Sequence, residues 1–259
     1  MPRTQHPSSK PALDLPPPFR LVTLREVGDA FAHAVRVAPE EGAGTLVHVG
    51  RFDLAELAVV LEPDEPLRSA RRALYAGLGA LGDALAAHAP PERPLTFDWP
   101  DAVRVDGALV GGGRLGWPRG ANEDEPPDWL VFAAMIRTVA MGEGEPGVRP
   151  LSSALDEEGF DDLDSGRLVE RFSRHFMAAL DAWQAQGFDE VAKSYLARLA
   201  PARGVYSEIA ENGDLLVRPM NVKNMNVKNM GGKNLERRSL LAALCRPSWL
   251  DPETGGPRV

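Results

Sequence analysis

Lysine is nearly missing from this chain. Of 259 residues only Lys10, Lys193, Lys223, Lys228 and Lys233 are lysine, so 24 of the 29 basic residues are arginine. Between Lys10 and Lys193, any chemistry that needs a cation must therefore use arginine or a helix N-terminus. Cysteine is scarcer still: Cys245 stands alone, which excludes an internal disulfide. No run of about 18 apolar residues occurs, so no membrane span is expected. The first ten residues lack the apolar stretch of a secretory signal, and the expectation is a cytoplasmic protein. Positive charge is not in excess either. With 29 basic and 37 acidic residues the formal charge is −8, the wrong sign for a general nucleic-acid binder.

Familiar catalytic signatures are also absent. His6, His33, His48, His88 and His175 are scattered and form no ligand-like pair, so no structural metal is expected. Neither a GxxxxGK phosphate loop nor a GxSxG elbow is present. What remains is a globular composition, 44% hydrophobic and 25% charged, of a size for one large domain or one domain with an appendage.

Residues 1–18 are polar and end in Pro16, Pro17 and Pro18, which reads as a flexible or draped arm. Leu21, Val22 and Leu24 mark a short strand. Val27, Ala30, Phe31 and Ala34 then recur at helical spacing. Two β-branched runs, Gly44–Val49 and Leu57–Leu61, predict strands around the corner Gly50-Arg51-Phe52-Asp53. Pro66 opens a long helix with Leu67, Ala70, Leu74, Leu78, Leu81 and Leu85 on one face, ended by Pro90 and Pro91. The arginines at its start, Arg68, Arg71 and Arg72, read as a solvated helix face. Residues 151–158 read as a short helix, 165–186 as a long amphipathic one broken by Gly187-Phe188, and 189–199 as a third. Trp129–Val139 is apolar with β character and is expected to be a central strand. Strands arranged mostly as hairpins predict an α+β protein with a mixed, largely antiparallel sheet and packed helices.

After Pro201 the chain changes character. Two short strands flank Glu211-Asn212-Gly213, and Leu240–Leu244 makes a short helix followed by Trp249-Leu250. Residues 201–259 are expected to form a small β-rich domain, leaving 19–200 as the main domain. Cys245, at the end of that helix, is expected to be a buried structural thiol. The tandem repeat Asn221–Met225 and Asn226–Met230 is too short for a solenoid and reads as a duplication in a tolerant loop.

One segment carries chemistry. It runs from Phe97 through Trp99-Pro100-Asp101, turns at Asp106-Gly107, and returns through Gly111-Gly112-Gly113-Arg114. Asp-Gly is a strong hairpin turn. Three glycines weaken a strand, and a close approach by a ligand or by another backbone would explain them. Arg114 beside bare backbone suits an anionic group; a bulged hairpin with a surface arginine explains the same residues.

This segment resembles the Trp-Pro-Asn-Asp…Gly-Lys-x-x-Gly hairpin of the biotin and lipoate protein ligase superfamily, which includes octanoyltransferases. The order of elements from about residue 20 onward is similar too. Gly50-Arg51 stands where that family has an arginine-rich loop, and a small β domain follows the ligase domain in biotin ligases. The resemblance implies activation of a carboxylic acid (biotin, lipoate or octanoate) with ATP and Mg, and transfer from the acyl-adenylate to a lysine of a biotinyl or lipoyl carrier domain. It implies a substrate-binding set of Gly50, Arg51, Trp99, Pro100, Asp101, Gly111, Gly112, Gly113 and Arg114. Trp99 would wall the pocket, and Gly111 and Gly112 would let the acyl chain lie on backbone. The family's catalytic lysine, however, falls at Leu109, and its second acidic residue at Ala102. Arginine cannot replace that lysine as an acid or base, and Cys245 lies outside the hairpin. Two expectations follow: a ligase or acyltransferase in which Arg51 and Arg114 replace lost cations, or a non-catalytic relative that binds an acyl ligand or a carrier domain.

Overall fold

The computed structural model describes residues 13–141, 151–200, 202, 204–219 and 235–258. The first twelve residues of the arm and the repeat at 221–230 lie outside the described residues. Seven strands form one sheet: β1 (Arg20–Leu24), β2 (Thr45–Val49), β3 (Leu54–Leu61), β4 (Leu95–Asp98), β5 (Ala102–Val105), β6 (Ala108–Gly116) and β7 (Leu130–Arg137). Their order is β1-β2-β3-β7-β6-β5-β4, with β1 and β2 parallel and all other pairs antiparallel. The expected mixed sheet is therefore present, and Trp129–Val139 supplies its middle strand. The β5–β6 turn is built by Asp106 (φ 48°) and Gly107 (φ 83°), a left-handed pair that matches the twist of the strands it joins.

Alternation along the strands separates two faces. On one, Leu46, Leu57, Val59, Phe132 and Ala134 meet α3 (Ala73–Ala86), α4 (Ser165–Gln186) and α5 (Phe188–Leu196) in the main core. Phe132 stacks on Phe172 and leans on Phe176, with ring centres 5.7 Å apart in both pairs. On the other face α1 (Ala30–Glu41) presents Ala30, Ala34 and Ala38 to Val47, Val49, Ala58, Val60 and Val131. Small residues four apart let this helix sit close to the sheet. Val27, expected on its apolar stripe, lies in the turn before it and is 97% exposed, because the helix begins only after its N-cap Asp29.

Two expected helices come out differently. The helix opening at Pro66 is split into α2 (Leu67–Ala70) and α3, with a tight turn at Arg71-Arg72. The turn points Arg71 inward, where both guanidinium nitrogens donate to Glu123 at 2.7 and 2.6 Å. Arg72 pairs with Glu65 at 2.6 Å and lies over Phe188, and Arg68 pairs with Asp124. The expected solvated arginine face is in fact ion-paired, with Arg68 and Arg71 joined to the acidic loop and Arg72 to Glu65. Residues 151–158 form turns rather than a helix. Their backbone bonds go to the strands: Leu109 N–H donates to Leu151, Ser153 N–H to Leu109 and Leu155 N–H to Arg137.

At the C-terminal end a three-stranded sheet of β8 (Val205–Ile209), β9 (Leu215–Pro219) and β10 (Glu236–Arg238) precedes α6 (Leu240–Leu244). Ile209, Leu215 and Leu240 join the main core. Cys245 is exposed, not buried. Leu240 is buried and Leu244, one turn on, packs against the core, whereas Cys245, five residues after Leu240, has turned about 140° away from it. At the other end, Leu13 and Leu15 of the arm pack on the core and Asp14 pairs with Arg174 of α4 at 2.5 Å.

Candidate active site

The sheet face that carries α1 is not covered by it throughout. β3, β7, β6 and β5 present Leu54, Met135, Gly112 and Ala102 there, and Leu109 joins them in a small apolar cluster. The cluster is completed from the C-terminal end of the chain by Trp249, with 0% of its surface exposed. The ring lies directly on Gly112, where a Cβ would overlap both Trp249 and the Asp101 carbonyl. β5 begins at Ala102, opposite Gly112, so β6 has no strand partner on that side beyond this point. The Gly113 carbonyl accepts instead from Trp249 Nε1 at 2.9 Å.

The tail is held down at several points. Ser248 Oγ donates to Asp101 Oδ1 at 2.7 Å and Ser248 N–H to Oδ2 at 3.2 Å. Arg258 N–H returns to the Trp249 carbonyl at 2.7 Å, closing a small loop. Arg137 of β7 donates to the carbonyls of Pro257 and Arg258. Asp101 is fully buried, and burial pushes its carboxyl up to about 6 while the two Ser248 donors work the other way.

Next to this apolar end lies a charged one. Glu56 pairs with Met135 across the strands and is buried. Its Oε1 accepts from the Ala30 N–H at the start of α1, 2.7 Å away. Burial raises the Glu56 carboxyl, an effect that the Ala30 N–H, Arg114 and Arg51 oppose. Arg114, two residues beyond Gly112 on the same face and so about 7 Å along the strand, lies flat over Phe31 at 4.1 Å and donates to Asp29 at 3.3 Å. Burial lowers its guanidinium, with Asp29 and Glu56 acting against that. Arg51 is held by both oxygens of Asp53, at 3.0 and 2.5 Å.

The family model described as Biotin/lipoate A/B protein ligase family matches residues 15–197. The chain belongs to that family. Among solved structures it is similar to a biotin protein ligase-like protein of unknown function from Silicibacter sp. TM1040. Identity is 26% and the TM-score 0.71, over 81% of this chain and 94% of that one. It is also similar to the biotin protein ligase of Aquifex aeolicus, at 17% identity and TM-score 0.60, over 85% of this chain and 100% of that one. The same ligase in complex with biotin and ATP gives a TM-score of 0.58 at 17% identity, over 85% and 99% of the two chains. At these identities the Aquifex likeness is one of fold. No curated protein matches the chain.

Within the ligase-family fold, the hairpin residues fall into three groups. Asp101, Gly112 and Leu109 meet under the tail, and Arg114 with Arg51 lies toward Glu56. Trp99 goes elsewhere. The Trp99–Pro100 peptide is cis, and the indole N–H donates to the Tyr75 hydroxyl at 3.0 Å, packing the ring on the helix-covered core. Pro100 accepts there from the Tyr195 hydroxyl at 3.0 Å. Gly50 N–H is used by the Leu24 carbonyl at the β1 edge.

The expected open strip of backbone is covered at all three glycines. A Cβ on Gly111 would strike the Met135 carbonyl of β7, and one on Gly113 would press on Leu78 and Phe132 at 3.1 Å. Only Gly112 faces the slot, and Trp249 fills it. Sequence reasoning missed Ser248, Trp249, Glu56 and Arg137. The one signal for Trp249 was a large aromatic in an otherwise polar tail. Glu56, a carboxylate inside an apolar strand run, was a second. Among the described residues no group of three or more His, Cys, Asp or Glu side chains is placed to hold a metal, and no helix is long and apolar enough to cross a membrane.

Proposed function

We infer that this protein binds a small carboxylic acid of the biotin, lipoate or octanoate kind on the sheet face at Gly112, without adenylating it. The observation that carries this reading is Leu109. It sits where the family resemblance places the catalytic lysine, and it is buried against Trp249 in an apolar cluster. An ionised group there would lose its hydration among Leu54, Met135 and Trp249, a cost of several kcal/mol. The slot is apolar at the Leu109 end and bears Arg114 at the other, a layout that suits an apolar body with one carboxylate. The acid would take Arg114 from Asp29, which is half exposed and easily hydrated.

A magnesium-bound triphosphate fits these residues poorly. Arg51 would have to leave a bidentate carboxylate and Arg114 its stacked, paired position, with no lysine between Lys10 and Lys193 to help. Adenylation followed by transfer to a carrier-domain lysine remains the second reading. It is favoured by Arg51 and Arg114 both acting on Glu56 from the charged end. The setting is cytoplasmic in either case, in keeping with a lone exposed thiol.

Calorimetry with biotin, lipoate and octanoate, run beside ATP–pyrophosphate exchange with the same acids, tests the reading. Binding of at least one acid with exchange at background is expected. Exchange with any of them restores the ligase, and binding of none removes the acid.

A further inference from the structure

We propose that Trp249 is a built-in occupant of the slot, and that a ligand enters by displacing the tail from Ser248 onward. This rests on the reading that the sheet face at Gly112 takes an acid. The indole occupies what a ligand would need: the bare surface of Gly112, the apolar walls of Leu54, Leu109 and Met135, and the carbonyl of Gly113.

The attachments of the tail are of a kind that can be exchanged. Apart from the ring and Leu250, which packs on the same cluster, the described part of the tail is held by hydrogen bonds from Ser248 to Asp101 and from Arg137 to the Pro257 and Arg258 carbonyls. Water can replace all of these once the segment lifts. The ring is different, because lifting it uncovers apolar surface and leaves the Gly113 carbonyl bare. A buried acceptor with no donor is costly. The occupant that replaces Trp249 must therefore bring both a flat apolar body and an N–H aimed at Gly113. A fused ring with a ring N–H meets both demands; a plain alkyl chain meets only the first. The slot is thus selective for ring-bearing acids with an N–H donor over fatty acids.

The test uses the full chain carrying Trp249→Ala, with indole as the probe. An apolar cavity left by a deleted side chain takes up a ligand of matching shape. Indole is expected to bind the variant and raise its melting temperature, and not to bind the wild type. Benzofuran, of the same shape without the N–H, should bind at least tenfold more weakly. Biotin should compete with indole more effectively than octanoate.

Indole binding without competition by any acid keeps the slot and its occupant but removes the acid reading. Equal acid binding to wild type and variant, with no uptake of indole, keeps the acid and overturns this proposal. Should Trp249→Ala unfold, the wild type itself carries the test. Hydrogen exchange at the Ser248 amide, bonded to Asp101 Oδ2, then reads tail release in the wild type. Faster exchange with biotin supports displacement; unchanged exchange at a biotin concentration that calorimetry shows to be bound overturns it.

Discussion

Ser248 grips Asp101 by both carboxylate oxygens, through its hydroxyl at 2.7 Å and its own N–H at 3.2 Å. The two residues are 147 positions apart, and Asp101 has no exposed surface. A carboxylate this deep has no water to fall back on. Removing the hydroxyl with Ser248→Ala should cost about 1–3 kcal/mol. The loss should be larger at pH 8, where Asp101 is ionised, than at pH 4.5. Urea unfolding at the two pH values measures it.

Asp101 should also set part of the pH dependence of stability. Its folded pKa is raised to about 6, by burial first and the neighbouring Asp98 charge in small part. The folded state therefore binds a proton that the unfolded chain, titrating near 4, has already lost. The stabilising contribution is fully present below about pH 4 and disappears as pH rises through 6, a change of about 3 kcal/mol. Asp101→Asn should flatten this component. The difference between wild-type and variant unfolding free energies from pH 4 to 7 checks it.

Gly112→Ala should be poorly tolerated. The new methyl meets the Asp101 carbonyl on one side and the Trp249 ring on the other. The ring can move, but the carbonyl belongs to the backbone and cannot. A loss of about 2–3 kcal/mol is expected, only partly recovered in the double variant with Trp249→Ala. Thermal unfolding of the single and double variants gives the comparison.

Leu109→Lys puts an ammonium into the cluster of Leu54, Met135 and Trp249. A destabilisation of about 3 kcal/mol or more is expected, with no gain of ATP–pyrophosphate exchange. Restored exchange would show that one side chain had been lacking.

Arg114 and Asp29 should act in opposite directions on acid affinity. Arg114→Leu removes the carboxylate partner and should weaken binding at least tenfold, about 1.4 kcal/mol. Asp29→Asn keeps the cap on α1 but releases the guanidinium, and should tighten binding. Calorimetry on both variants decides the matter, and a shared direction would exclude Arg114 as the carboxylate partner.

Much of the architecture was legible because its signals are local. Asp106-Gly107 specifies a turn whatever surrounds it, and the α4 stripe of Leu168, Phe172 and Phe176 shows in its spacing. The central place of β7 followed from an apolar run with no polar alternation. The misread features depend on distant partners. Arg71 looks solvated until Glu123, 52 residues on, folds over it. The three glycines look open until Met135, Phe132 and Trp249 arrive from elsewhere in the chain. Cys245 was misjudged because hydrophobic neighbours in a short helix do not say which way its last turn points. Leu109 was the exception, since a single position in the hairpin motif already raised the question of catalysis.

The Tyr75 hydroxyl accepts a hydrogen bond from the Trp99 indole N–H and donates one to the Gly213 carbonyl at 2.5 Å. The motif tryptophan is thereby wired, through the first residues of a core helix, to the β8–β9 turn outside the span the family model covers. Shortening the chain to that span would take from Tyr75 its acceptor and from the core Ile209, Leu215 and Leu240. Chains cut near residue 197 should accordingly yield insoluble protein, whereas those that keep the turn should not.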